Sequence, residues 1–511
     1  MNKSLAIMTG MVWLAAAAAG AAPWEPGLVA QIHFAGGAAV TADPNAAALK
    51  RVWTSPDGVA LQAQTLDKLD RSLEGWLHQK VVPTLSGSVA LRPLLEDLSR
   101  CEWELDLRQP AADTVELSLA VNLESNERYQ AWQNTLTPVV EAWKMSSPRH
   151  HARINNVKGW LGLTLGNSPT PPSVGISIPL KDAWLTADMD WGRLAVWFPE
   201  LRKLDLPQTR LQVAGRNGNF EVTGKLFLAQ PLAALPAWQF PTNTIHAPFI
   251  SLTAARGIST WLKQQPWVAA MGLQELPDQV FTWAMPQIPF ESYAAMPLAS
   301  APAALPALER SLNGFLHDGT ADSPYKGITL LATNNRVAVL GLPLMAPYFE
   351  ARPEPAGEYL MGGFFPNTPG KPAPPQLLAW QGRPGLVFYH WEDTAERLKI
   401  SPQLYNLILA ISKDRQVLPN FVAGKWLSDL APTLGTTTTE AIQTGPNEVT
   451  FTRTAPAGLT AAELVALASW LEAPNFPGWE LRLAAPPRLI RRPGAPAPGT
   501  PGAPAPFPLH N

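Results

Sequence analysis

Apolar residues along this chain follow two alternating patterns. Four segments read as an apolar strand that runs into a helix: GLVAQIHFAGGAAVTADPNAAALKRVW, AWLTADMDWGRLAVWFPEL, APFISLTAARGISTWLKQQ and GLVFYHWEDTAERLKI. Four others alternate about a central turn: CEWELDLRQPAADTVELSLAVN, TRLQVAGRNGNFEVTGKLFL, GITLLATNNRVAVLGLPL and TTTEAIQTGPNEVTFTRT. Their turns carry the Gly, Asn and Pro chemistry that hairpins need. Strand–helix followed by hairpin recurs four times at irregular spacing, which excludes a solenoid of fixed repeat. The recurrence reads as an old duplication with its break near PAWQFPTNT, residues 236–244.

Helical periodicity fills the gaps. TLDKLDRSLEGWLHQK sets Leu66, Leu69, Leu73, Trp76 and Leu77 on one face. SNERYQAWQNTLTPVVEAW stacks Tyr129, Trp132, Leu136, Val140 and Trp143, with Ser125 placed as the cap and Pro138 expected to kink or divide the helix. Thr460 and Glu463 have capping-box spacing. Asp43–Pro44 and Ser401–Pro402 each pair an N-cap with Pro at the first helical position. The Pro-rich stretches 285–309 and 364–376 read as long loops.

Mixed strands and helices with antiparallel hairpins predict an α+β protein. The expected organisation is two duplicated halves, 22–240 and 241–485, each a sheet of antiparallel hairpins packed by helices. Length sets the same scale, since 511 residues correspond to two or three domains at roughly 100–200 residues each. The flanks differ. Residues 1–21 have one early Lys, an apolar run and an A-x-A site at Ala19–Ala21, the layout of a cleaved signal peptide, with retention as an anchor the alternative. Residues 486–511 are rich in Pro, Ala and Gly and are expected to form a disordered tail. No other stretch is long and apolar enough to span a bilayer as a helix.

Charge narrows the partners. Charged residues are 16% and the net charge is −2 without long runs of one sign, so nothing suggests a nucleic-acid grip. Cys101 is the one cysteine, which excludes an internal disulfide, and it reads as a small residue in a strand. Twenty Trp stand against seven Tyr. Those in helical patterns (Trp53, Trp76, Trp132, Trp143, Trp261, Trp470) are expected in the core. Those in irregular contexts (Trp24, Trp238, Trp267, Trp283, Trp380, Trp479) are the candidates for a cleft or a stacking surface.

Three places carry possible chemistry. His390, Glu392 and Asp393 end an apolar run, yet Asp393 lies three residues before Glu396, as a helix cap does. Asp188 and Asp190 form a D-x-D that could bind a cation or act as an acid pair, but Asp190 also stands where a cap belongs. His150–His151 lies in a basic stretch read as a loop, without further ligands at metal-site spacing. FFPNTPGKP lacks the first Gly and the final Ser/Thr of a phosphate loop. No H-E-x-x-H, G-x-S-x-G, C-x-x-C or EF-hand pattern is present. No catalytic, metal or cofactor residue is assigned, and no ligand-binding residue is named.

The segments VAQIHFAG, YLMGGFFPN and GLVFYHWE resemble a group of uncharacterised exported bacterial proteins of unknown function. The resemblance implies a periplasmic or extracellular location and supplies no activity. Three functions stay open. The first is a non-enzymatic envelope protein that binds a ligand or partner, or is structural, with a groove between the halves lined by Trp and aliphatic residues. The second is a glycan hydrolase using Asp188, Asp190 or Glu392 as acids within one cleft. The third is a carrier of hydrophobic cargo such as lipid, which needs an apolar cavity between sheet and helices.

Overall fold

The computed structural model describes residues 26–81, 89–111, 114–157, 159–167, 180, 182–197, 201–202, 206–232, 234–287, 291–316, 327–342, 345–367, 370–400, 422–473 and 476–477. The expected signal segment 1–21, the tail 486–511, Trp24, Trp479 and the Ser401–Pro402 cap lie outside these residues, as does the side chain of Trp267.

Mixed helix and strand content makes this an α+β protein, and its frame is one antiparallel sheet of 18 strands. The first eight strands are β1 (Leu28–Phe34), β2 (Trp103–Arg108), β3 (Glu116–Val121), β4 (His151–Val157), β5 (Trp160–Gly166), β6 (Leu185–Met189), β7 (Gln208–Arg216) and β8 (Asn219–Phe227). They pair in the order β4-β5-β3-β2-β1-β6-β7-β8. The rest are β9 (Ser251–Arg256), β10 (Gln279–Ala284), β11 (Ser292–Leu298), β12 (Thr329–Thr333), β13 (Arg336–Leu340), β14 (Tyr348–Glu354), β15 (Gly357–Gly363), β16 (Leu386–Asp393), β17 (Thr436–Gly445) and β18 (Glu448–Ala455). Their order is β12-β13-β14-β15-β11-β10-β9-β16-β17-β18. Without the hairpin β12–β13, the second arm repeats the strand order of the first, position for position. The arms join where β8 pairs antiparallel with β18.

All four hairpins and all four strand-to-helix handovers expected from the sequence form. Among the described residues the α-helices of five residues or more are α1 (Gly37–Ala42), α2 (Ala47–Trp53), α3 (Pro56–Trp76), α4 (Arg92–Arg100), α5 (Asn126–Ser146), α6 (Trp191–Trp197), α7 (Ser259–Lys263), α8 (Pro266–Met271), α9 (Ala301–Leu316), α10 (residues 394–400), α11 (Val422–Leu430) and α12 (Ala461–Glu472). Ser125 Oγ accepts the Arg128 N–H, and the box Thr460–Glu463 opens α12. Asp43 caps a 3-10 turn that begins at Pro44.

Several expectations need correction. Pro138 does not divide α5. Leu136, Val139 and Val140 are buried around it, and packing against β3–β5 outweighs one lost helical hydrogen bond. The stretch 285–309 is not a loop, because it supplies β11 and the start of α9. Pro297 sits inside the strand and Pro306 inside the helix, while Tyr293, Ala295 and Leu305 are fully buried. His151 opens β4 rather than lying in a loop. Cys101 precedes β2, is buried, and its N–H donates to Asp97 O at 2.7 Å.

The two arms use one face of the sheet differently. In the second arm the cross-strand row Trp391–Leu252–Trp283–Tyr293–Gly363–Tyr348–Ala338–Leu331 runs from β16 to β12. Phe240, Ile245, Phe249 and Trp380, from the segments before β9 and β16, cluster with its half from Trp391 to Tyr293. In the first arm the same face presents Gln212, Thr186, His33 and Glu104. The opposite face is largely apolar in both arms, packed by α5 in the first and by α7, α8 and α9 in the second.

Candidate functional site

The sequence places His390, Glu392 and Asp393 together, and the fold gives each a partner. Asp393 Oδ1 accepts the Glu396 N–H at 3.0 Å and caps α10. Glu392, on the opposite face of β16, is completely buried. Its Oε1 accepts the Ala461 N–H at 2.7 Å and the Thr394 hydroxyl at 2.9 Å. Its Oε2 lies 3.3 Å from Arg397 Nη1 and 3.4 Å from His390 Nε2. The His390 contact is too poorly aligned for a hydrogen bond. Burial alone would push the Glu392 carboxyl up. The His390 contact, the Arg397 guanidinium and the Ala461 N–H win, and hold it down at about 2.

His390 Nδ1 is 2.8 Å from Thr253 Oγ1, its cross-strand neighbour on β9. Hydroxyl, imidazole and carboxylate thus touch in sequence, as in a nucleophile–base–acid relay. Thr253, His390 and Glu392 all lie at the buried sheet–helix interface, and Glu392 spends its acceptors on Thr394, Ala461 and Arg397. The arrangement joins β9 and β16 to the starts of α10 and α12.

The D-x-D is similarly committed. Asp188 takes Arg210 Nε at 3.0 Å on both oxygens. Asp190 caps α6 through the Arg193 N–H at 3.0 Å and accepts Gln208 Nε2 at 2.9 Å. Asp188 and Glu392 are on opposite faces, five strands apart by the path β6-β7-β8-β18-β17-β16, or about 24 Å at the usual strand spacing. One cleft does not hold both. His150 stacks on Trp143 with centroids 4.0 Å apart. Among the described residues no group of three or more His, Cys, Asp or Glu side chains is placed to hold a metal.

A cavity of about 160 Å³ lies where helices of the two halves meet. Its walls are Leu49, Val52 and Trp53 from α2, Trp426 and Leu430 from α11, and Leu459, Leu464 and Leu467 at α12. Ala48, Leu434, Pro456 and Ala457 complete an apolar lining, and Thr433 is its one polar side chain. Trp53 is 41% exposed, so this wall meets solvent. The cavity sits beside the Glu392 junction, because Leu459 and Leu464 flank the Ala461 N–H that Glu392 holds.

No local pattern in the sequence marks this cleft, and the burial of several tryptophans differs from expectation. Trp53 and Trp76 were expected in the core but are 41% and 54% exposed. Trp283 and Trp380, assigned to irregular contexts, are each 2% exposed in the aromatic row and its cover. A signal for α11 was present: Ala423, Trp426, Leu427 and Leu430 repeat at helical spacing.

Comparison with protein-family models, with curated proteins and with solved structures found no match. Among the described residues no helix is long and apolar enough to cross a membrane.

Proposed function

We propose that this chain is an exported, non-enzymatic binding protein that receives an uncharged apolar group in the cleft between α2 and the α11–α12 pair. One observation carries the reading: that cavity draws its walls from both halves and has no titratable side chain in its lining. Its volume is close to that of a cavity that takes a single benzene ring. It therefore suits one ring or branched chain of a ligand or partner, below the roughly 300 Å³ at which pockets for whole drug-sized molecules begin. Trp132, Trp283 and Trp380 fill the space between the sheet and its cover, which favours this reading over a carrier with a large internal cavity.

Export is part of the same proposal, supported by the layout of residues 1–21 and by the resemblance to exported proteins. N-terminal sequencing of the secreted or periplasmic form should give Ala22 first. The matching strand orders support an origin by duplication. The 22–240 and 241–485 halves, co-expressed as separate chains, should then reassociate through β8 and β18.

The direct test is thermal unfolding with small apolar probes such as indole or toluene. At 100 times its Kd a probe adds about 2.7 kcal/mol of stability, and Tm rises by several degrees. Ala457→Phe, which fills the cavity, should remove the rise. No probe-dependent change in Tm, or a rise that survives Ala457→Phe, defeats the proposal.

A further inference from the structure

We propose that β12 is a pairing edge on which a second copy of this chain docks, strand against strand, to form a two-fold symmetric dimer. β12 ends the sheet: it pairs with β13, and no described strand lies beyond it. Four of its five residues are exposed, and Leu331 is 54% exposed. Edge strands are normally protected by charge, proline or a bulge. TLLAT has no charge and no proline, and its register with β13 is regular throughout. The other end of the sheet, β4, carries the exposed Arg153 as its third residue. The two edges are therefore not equivalent.

Two further observations select a second copy as the occupant. The strand is nearly palindromic. Antiparallel self-pairing centred on Leu331 sets Thr329 opposite the second copy's Thr333, Leu330 opposite its Ala332, and Leu331 opposite its Leu331. Thr–Thr and aliphatic pairs are favourable cross-strand neighbours, and no charge is brought against charge. The apolar row through Tyr293, Gly363, Tyr348 and Ala338 also stops abruptly at Leu331. Leu340, opposite Thr329 on that same face, is 39% exposed. A two-fold axis at Leu331 continues the row into its own copy and sets Leu331 of the two chains side by side, with each Leu340 one strand further in on the same face. The hairpin β12–β13 is, besides, the one pair among the ten strands of the second arm without a counterpart among the described strands of the first. Its inner strand buries Val337, Ala338 and Val339, whereas its outer strand buries little of itself.

The full chain should sediment at twice its monomer mass at micromolar concentration. Leu331→Lys should weaken self-association roughly a hundredfold, since two leucines leave the interface, while Tm measured on the monomer stays unchanged. Leu331→Cys should give a disulfide-linked dimer under mild oxidation. The parent protein is the control, because its Cys101 is buried. A protein monomeric at 100 times that concentration, a dimer that Leu331→Lys leaves intact, or cross-linking of Leu331→Cys only to an Arg153→Cys chain would each overturn the proposal. The last result would mean head-to-tail pairing through β4. None of these readouts depends on the cleft between α2 and α12.

Discussion

Glu392 Oε1 accepts the Ala461 N–H at 2.7 Å, so a carboxylate on β16 caps a helix that begins 69 residues later. The bond fixes the start of α12, which carries Leu464 and Leu467 of the cleft wall. Glu392→Gln removes the charge that faces Arg397 and His390. It should cost about 3 kcal/mol, as breaking a buried ion pair does. Because the folded carboxyl is held at about 2 against an ordinary 4.5, its contribution is complete above about 4.5 and fades as pH falls toward 2. Denaturant titrations of both forms should differ most at neutral pH and converge in acid. A pH-independent difference would mean that the charge is not what stabilises this joint.

Trp53 lines the same cleft from the other half and is 41% exposed. Trp53→Ala should therefore cost under about 1 kcal/mol of stability, in the range of surface changes, while weakening probe binding at least tenfold. Leu464→Ala, at a residue 2% exposed, should cost about 2–5 kcal/mol and enlarge the cavity. Equal losses of stability in the two variants, read from urea midpoints, would show that Trp53 is structural rather than part of the binding wall.

Trp283 and Trp76 show how far the sequence was legible. Hairpin turns, strand-to-helix handovers and caps are local, so Asn217–Gly218, Asp393 and Thr460 were readable from neighbouring residues alone. Burial of a tryptophan depends on what crosses above it. The segment carrying Phe240 and Phe249 covers the face to which Trp283 belongs, and no local pattern announces that cover. The Glu392–Ala461 contact and the meeting of α2 with α11 and α12 are equally non-local. Trp283→Ala should cost about 3–5 kcal/mol and Trp76→Ala under about 1 kcal/mol, an order that chemical denaturation checks directly.

Gly224 lies at the seam between the arms, opposite Phe451 of β18. A Cβ there would sit 2.6 Å from the Arg210 carbonyl oxygen and 2.6 Å from Phe451 Cε1. The ring could turn aside, but the backbone oxygen of β7 cannot without moving the strand. Gly224→Ala should destabilise by about 1–3 kcal/mol. Hydrogen exchange should rise first in β8 and β18, because the strain falls on their pairing. Faster exchange confined to the sheet ends would place the weak point elsewhere.

Four tyrosines of the second arm, Tyr293, Tyr348, Tyr359 and Tyr389, belong to the buried aromatic face and titrate late. Burial pushes each phenol up, assisted by Glu291, Glu350, Glu354 and Glu440 respectively; Tyr348, Tyr359 and Tyr389 reach about 12. A phenol whose folded pKa exceeds its unfolded value near 10 stabilises the fold below that value. The contribution is lost as the pH climbs from 10 through 12, where the unfolded chain ionises first. Ionisation of these four phenols should thus come as a steep rise in tyrosinate absorbance above 10 that coincides with loss of the near-ultraviolet circular dichroism. Tyr348→Phe keeps the ring and should move that rise to higher pH. A single smooth titration centred near 10 with the fold intact would contradict the burial of this row.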